Sequence, residues 1–128
     1  MARRKGPHAE VRACAQRYRE LTARLAGIGF IWHGSLQKRM LTCGKERCAC
    51  RTDPKARHGP YAYWTSKEAQ KTVSRLLSLD EAELYEEWIN NRRELERVVR
   101  QMYRLSRRAA KAELKLRAER RRGEVGES

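Results

Sequence analysis

The chain has 128 residues, 30 of them Lys or Arg against 16 Asp or Glu, for a formal net charge of +14. That length supports one domain, or one domain with a helical extension, and a hydrophobic share of 40% leaves only a modest core. No apolar run approaches a membrane span and the start, Met-Ala-Arg-Arg-Lys-Gly-Pro, lacks the apolar segment of a signal peptide, so a cytoplasmic protein is expected.

Residues 1–8 read as a basic, disordered arm. Residues 9–27 read as an N-terminal helix, because Val11, Cys14, Tyr18, Leu21 and Leu25 recur in steps of three and four. Gly27 and Gly29 end it. Cys14 lies on that apolar stripe and reads as a small core residue.

Residues 28–78 change period and form a zinc-loop and β-hairpin module. Ile28, Phe30 and Trp32 alternate, Gly34-Ser35 breaks the run, and Leu36 to Thr42 reads as a short strand. Beyond the cysteines, Tyr61–Ser66 and Lys71–Ser78 read as two strands joined by a four-residue turn. With the strand before Cys43 they make a three-stranded antiparallel sheet. Tyr61 and Tyr63 share one face of it and Trp64 takes the other, one set packing on helices and the other exposed beside Lys67, Lys71 and Arg75.

Residues 79–122 read as one long helix, with Ser78 or Asp80 as its cap and acidic residues in its first turns. Leu84, Trp88, Leu95, Val98, Met102, Leu105, Ala109, Ala112 and Leu116 form a heptad seam interrupted by Asn91. Residues 79–96 carry seven acidic and two basic side chains, whereas 97–122 carry eleven basic and two acidic. The first helix is therefore expected to lie antiparallel on the acidic half. The basic half then projects, or pairs with a second copy as a coiled coil through 84–116. Residues 123–128 read as a disordered tail. The fold class is α+β: an N-terminal helix, a small three-stranded antiparallel sheet with a zinc-ligating loop, and a long C-terminal helix.

The chemistry concentrates between Leu41 and Trp64. Cys43, Cys48, Cys50 and His58 are soft or borderline donors close enough in sequence to close a tetrahedral Cys3His zinc site. Gly44 lets the backbone turn tightly after Cys43, and Pro54 with Gly59-Pro60 marks turns that return His58 to the thiolates. Unligated thiols and an iron–sulfur or redox role are the alternatives, while a Cys43–Cys48 disulfide conflicts with a reducing compartment. His33 is a rival ligand, but it follows Trp32 in an apolar segment and reads as packing.

Gly34-Ser35-Leu36, Cys43-Gly44-Lys45, Cys48-Ala49-Cys50, His58-Gly59-Pro60-Tyr61 and Lys71-Thr72-Val73 together resemble a small bacterial domain family of unknown function. The resemblance implies short basic proteins, some encoded near transposases or integrases, and no established activity. Lys67-Glu68-Ala69-Gln70 stands where the family pattern leads one to expect a glycine-bearing turn.

A chain so basic meets polyanions first, nucleic acid foremost. Candidate contacts are Lys38, Arg39, Lys45, Arg47, Arg51, Lys55, Arg57, Tyr61, Tyr63, Lys67, Lys71 and Arg75. The cations suit phosphates, and the tyrosines suit either base stacking or core packing. DNA is favoured over RNA and no membrane is expected, and the resemblance implies a recombinase or transposase as a protein partner. A protein-interaction module, in which a coiled-coil dimer docks an acidic partner, is the alternative, and ribonucleoprotein binding the third. No Gly-rich phosphate loop, nucleophile elbow or His-Glu-x-x-His helix occurs, so no enzyme is expected.

Overall fold

The computed structural model describes residues 6–126, with side chains described for 6–124. Helix α1 spans Pro7–Ala26, strands β1, β2 and β3 span Ser35–Leu41, His58–Glu68 and Lys71–Leu76, and helix α2 spans Leu79–Gly126. Two short 3-10 helices, Ala49–Arg51 and Pro54–Ala56, lie between β1 and β2. The strands form one antiparallel sheet in the order β1-β2-β3. The expected α+β architecture is therefore present. The chain divides into two compact units, one of residues 29–93 and the other of the segments on either side.

In the sheet unit the core is Trp64, Leu77 and Ile89, with Trp32, Leu36, Ala62, Ala82 and Tyr85 packed against it. The period-2 alternation of β2 sends Ala62 and Trp64 inward and Tyr61 and Tyr63 outward. Because Trp64 pairs with Arg75 and Leu36, those residues share its face. Ser78 and Glu81 form the capping box that opens α2: Ser78 Oγ accepts from the Glu81 amide, and Glu81 accepts from the Ser78 amide. Leu84, expected in the seam, is 42% exposed, because the first turns of α2 present Ala82, Tyr85 and Ile89 to the sheet instead.

Segment 28–34 is not a strand. It is tied to α2 through its backbone: Trp32 N donates to the Trp88 carbonyl, Asn91 Nδ2 to Phe30 O, and Arg92 to the carbonyls of Trp32 and Gly34. Asn91 interrupts the seam because its amide serves this connection. Gly34, at φ +85°, sits where a Cβ would come within 2.5 Å of Thr65 O and of the Trp64 ring nitrogen.

The hairpin turn is shorter than expected. Lys67 pairs with Thr72 and Glu68 with Lys71, leaving only Ala69 and Gln70, at φ 49° and 67°, to reverse the chain. Positive φ at both central positions is what a type I′ turn needs to match strand twist, and here it is met without glycine.

In the helical unit, α1 runs antiparallel to α2: Arg24 pairs with Glu94, and Glu10 with Arg108 at 2.6 Å. Leu21 and Val98 are fully buried, and Cys14 and Ala112 nearly so. The expected seam from Leu95 to Ala112 thus faces α1. The expected match to the acidic half 79–96 is displaced toward the C-terminus, because Ala82, Tyr85 and Ile89 already pack in the sheet unit. Helix α1 also begins at Pro7, a favoured first-turn position for proline, so residues 7 and 8 belong to it and not to an arm. Residues 123–126 continue α2, with no proline to stop it. The rest of the expected arm, residues 1–5, and of the tail, residues 127 and 128, lies outside the described residues. No helix among the described residues is long and apolar enough to cross a membrane.

Candidate metal centre and its basic loop

Strand pairing builds the frame of the site. Leu41, near the end of β1, pairs with His58 at the start of β2, so the loop between them is closed at its base. The register slips between Arg39 and Leu41. Gly59, at φ +130°, passes that irregularity where a Cβ would meet the Arg39 carbonyl at 2.9 Å. Gly44 has open space around its Cα and no positive φ, so the tight glycine of this loop is Gly59 and not Gly44.

Inside the frame the backbone coils on itself. Cys48 N donates to Lys45 O, Arg51 N to Cys48 O, and both Thr52 N and Asp53 N to Ala49 O. Asp53 caps the second 3-10 helix by accepting from the Lys55 amide at 2.9 Å. These turns bring four side chains together: the donor atoms of Cys43, Cys48, Cys50 and His58 all lie within 4.8 Å of one another. Cys43 Sγ is 3.5 Å from Cys50 Sγ, and Cys48 Sγ is 3.3 Å from His58 Nε2. All four cysteines of the chain are free thiols, so no disulfide competes with this arrangement.

A tetrahedral ion with bonds of about 2.3 Å to sulfur puts its ligands about 3.8 Å apart, and the observed separations bracket that value. The set therefore fits a single metal ion. Cys50 is buried, Cys43 and Cys48 are half-buried, and His58 is at the surface. The Cys48 thiol is drawn below its ordinary value, first by the backbone amide of Cys50 and then by the Cys50 and Cys43 thiols. The Cys43 amide pulls the Cys50 thiol down, but burial and the neighbouring sulfurs outweigh it and leave it raised. A bound cation would favour the thiolate form of its sulfur ligands. His33 is elsewhere, with Nδ1 2.9 Å from the Ser66 hydroxyl and its ring against Trp32 and Trp64.

The expected anion contacts fall into three groups. Lys45, Arg47, Arg51, Lys55 and Arg57 are exposed on the loop, and none forms an ion pair among the described residues. Arg39, Tyr61, Tyr63 and Lys67 lie on the outer sheet face, with the Arg39 guanidinium 5.2 Å from the centre of the Tyr63 ring. Lys38, Lys71 and Arg75 lie on the opposite face. Arg75 is not free: it pairs with Glu81 at 2.8 Å and donates to Tyr85 Oη at 2.6 Å, which holds Glu81 below the usual carboxylate range. Its position across from Trp64 could have shown this, since β3 had to turn that face toward α2.

The fold and its donor set define a small α+β chain with a Cys3His loop of metal-binding type. Residues 11–86 match the domain of unknown function DUF6788, and the chain belongs to that family. No curated protein and no solved structure matches it.

Proposed function

We propose that this chain is a small DNA-binding accessory protein in which one structural zinc ion, held by Cys43, Cys48, Cys50 and His58, fixes a cationic loop against the sheet. The observation that carries the reading is the loop itself: four convergent donors and five exposed cations without a carboxylate partner among the described residues. Bound zinc supplies a closed tetrahedral clamp and lowers the thiol pKa values. The chain's own residues do the rest. Arg47, Arg51 and Arg57 offer guanidinium forks to phosphate oxygens, and Lys45 and Lys55 offer point charges. Arg39 over Tyr63 extends the basic surface onto the outer sheet face. An association with a mobile element, beside a recombinase or transposase, rests on the sequence resemblance alone.

The test is duplex DNA binding by the zinc-loaded protein, compared with an Arg47→Gln/Arg51→Gln/Arg57→Gln variant that keeps its zinc. Neutralising three phosphate contacts lowers the slope of log K against log salt by about 2.7. An unchanged slope overturns the reading. Selection from a random duplex library at about 150 mM salt, where non-specific binding is already weakened, then asks whether any sequence is preferred.

A further inference from the structure

Beyond the loop, α2 carries a second basic feature that capping does not explain. Arg97, Arg100, Arg104, Arg107, Lys111 and Lys115 follow one another in steps of three and four, and all six are exposed. At 100° per residue they fall within an arc of about 80°, and the line they draw is about 27 Å long. It lies roughly 130° around the helix from the seam of Val98, Met102, Leu105, Ala109 and Ala112 that faces α1. Only Arg97 of the six has an ion-pair partner among the described residues, Glu94. Arg108 and Arg117, off the line, are paired with Glu10 and Glu113.

A face that merely keeps a helix soluble alternates its signs, since opposite charges at these spacings support the helix. This one places like charges as nearest neighbours on five successive steps, each of which weakens it. We infer that the stripe is a phosphate track for a nucleic-acid duplex, a second contact surface separate from the metal loop. A bilayer suits it poorly, because a helix lying on lipid needs a continuous free apolar face. Here the apolar seam is covered, Val98 being wholly buried and Ala112 6% exposed, which leaves only the separated Tyr103 and Leu114 exposed beside the stripe. A duplex presents one charge per about 1.7 Å along its axis, enough to face every cation of the line. With α1 packed against it, α2 is too wide for a major groove about 12 Å across, so the stripe follows the backbone and carries no sequence preference.

The inference takes its partner class from the nucleic-acid reading above but not its residues, and the experiment separates the two. Binding of the zinc-loaded full chain to a random-sequence DNA duplex is measured from 50 to 200 mM salt. The Arg104→Gln/Lys111→Gln variant should lose about 1.8 from the salt slope, equally on unrelated sequences. The matched variant Arg12→Gln/Arg19→Gln, which removes as much charge from exposed positions of α1, should keep the parent slope. Gln is a good helix former and removes like-charge neighbours, so helicity is retained, and circular dichroism checks it. Equal losses in both double variants, or none in the stripe variant, overturn the inference while leaving the loop reading to its own variant. Failure of the loop variant to weaken binding, with the stripe variant still losing slope, removes the loop reading and keeps the stripe.

Discussion

The loop between β1 and β2 and the helix pair of α1 and α2 are both rich in arginine, yet they are held together by opposite means. In the helix pair, Leu21 and Val98 are fully buried and the ion pairs Arg24–Glu94 and Glu10–Arg108 bind its two ends. In the loop, Cys50 is the only buried side chain, and the cations around it have no partner among the described residues. Ordering each residue costs about 1–2 kcal/mol, and a loop with almost nothing apolar to bury has little to offset that. The comparison teaches that arginine count says little about role. What matters is whether the neighbouring fold supplies carboxylates and core, as the helices do, or sulfur and imidazole, as the loop does.

Metal removal should break the comparison most sharply. Structural zinc contributes on the order of 10–16 kcal/mol of apparent binding energy in small zinc-dependent peptides, far more than any other single interaction available to the loop. On the zinc reading proposed above, a chelator or Cys50→Ser should release one zinc per chain and expose residues 43–57 to proteolysis and amide exchange. The helical far-ultraviolet signal should stay nearly unchanged. Elemental analysis and hydrogen exchange read both arms, and an ordered loop in metal-free protein would show that the sulfurs pack without an ion.

Leu21→Ala sharpens it from the other side. Deleting a buried leucine side chain costs about 2–5 kcal/mol, so the melting temperature should drop while zinc content holds. The ion pairs contribute less, being solvent-exposed, and they respond to pH. Glu94 is held below the usual carboxylate range, first by its bond from Arg97 and then by that from Arg24. Its stabilisation is therefore fully present above the unfolded carboxylate pKa and is lost as pH falls through the lower folded value. Glu94→Gln should lower stability at neutral pH and flatten the acid limb, so that the variant and parent curves converge as pH falls through the folded carboxylate value. Thermal melts between pH 2 and 7 decide this.

Much of this was legible in the sequence where one period dominates. The stripe of α1, the alternation that separates Trp64 from Tyr61 and Tyr63, and the cysteine spacing each rest on a local rule. Each reappears in the structure, except that Tyr18 of the stripe is 38% exposed and that burial, which alternation alone leaves open, falls to the Trp64 face. Leu84 falls in the expected seam because an extended heptad ignores that successive stretches of one helix can pack in different units. Ile89 and Tyr85 were missed for the same reason. Arg75 looked free because its partners, Glu81 and Tyr85, become neighbours only once β3 and α2 are in place. The stripe from Arg97 to Lys115 was available to the same period-3.6 template that found the apolar seam, applied to cations.

The smallest effect expected lies at the tip of the hairpin, where sequence rules and structure disagree most openly. Ala69 and Gln70 adopt left-handed backbone conformations that cost an ordinary L-residue about 1–2 kcal/mol each, and neither has the asparagine or glycine chemistry that eases it. Ser66–Val73, Lys67–Thr72 and Glu68–Lys71 are all paired, which leaves only these two residues to reverse the chain. The observed pairing thus places the turn on residues that do not favour it. Replacing the pair with Asn-Gly should raise stability by about 1 kcal/mol, after part of the gain is returned to the more flexible unfolded chain. Denaturant midpoints at an unchanged m-value measure it. A loss of stability instead would mean that the turn does not adopt this geometry, and that the four-residue connection expected from the sequence is the better description.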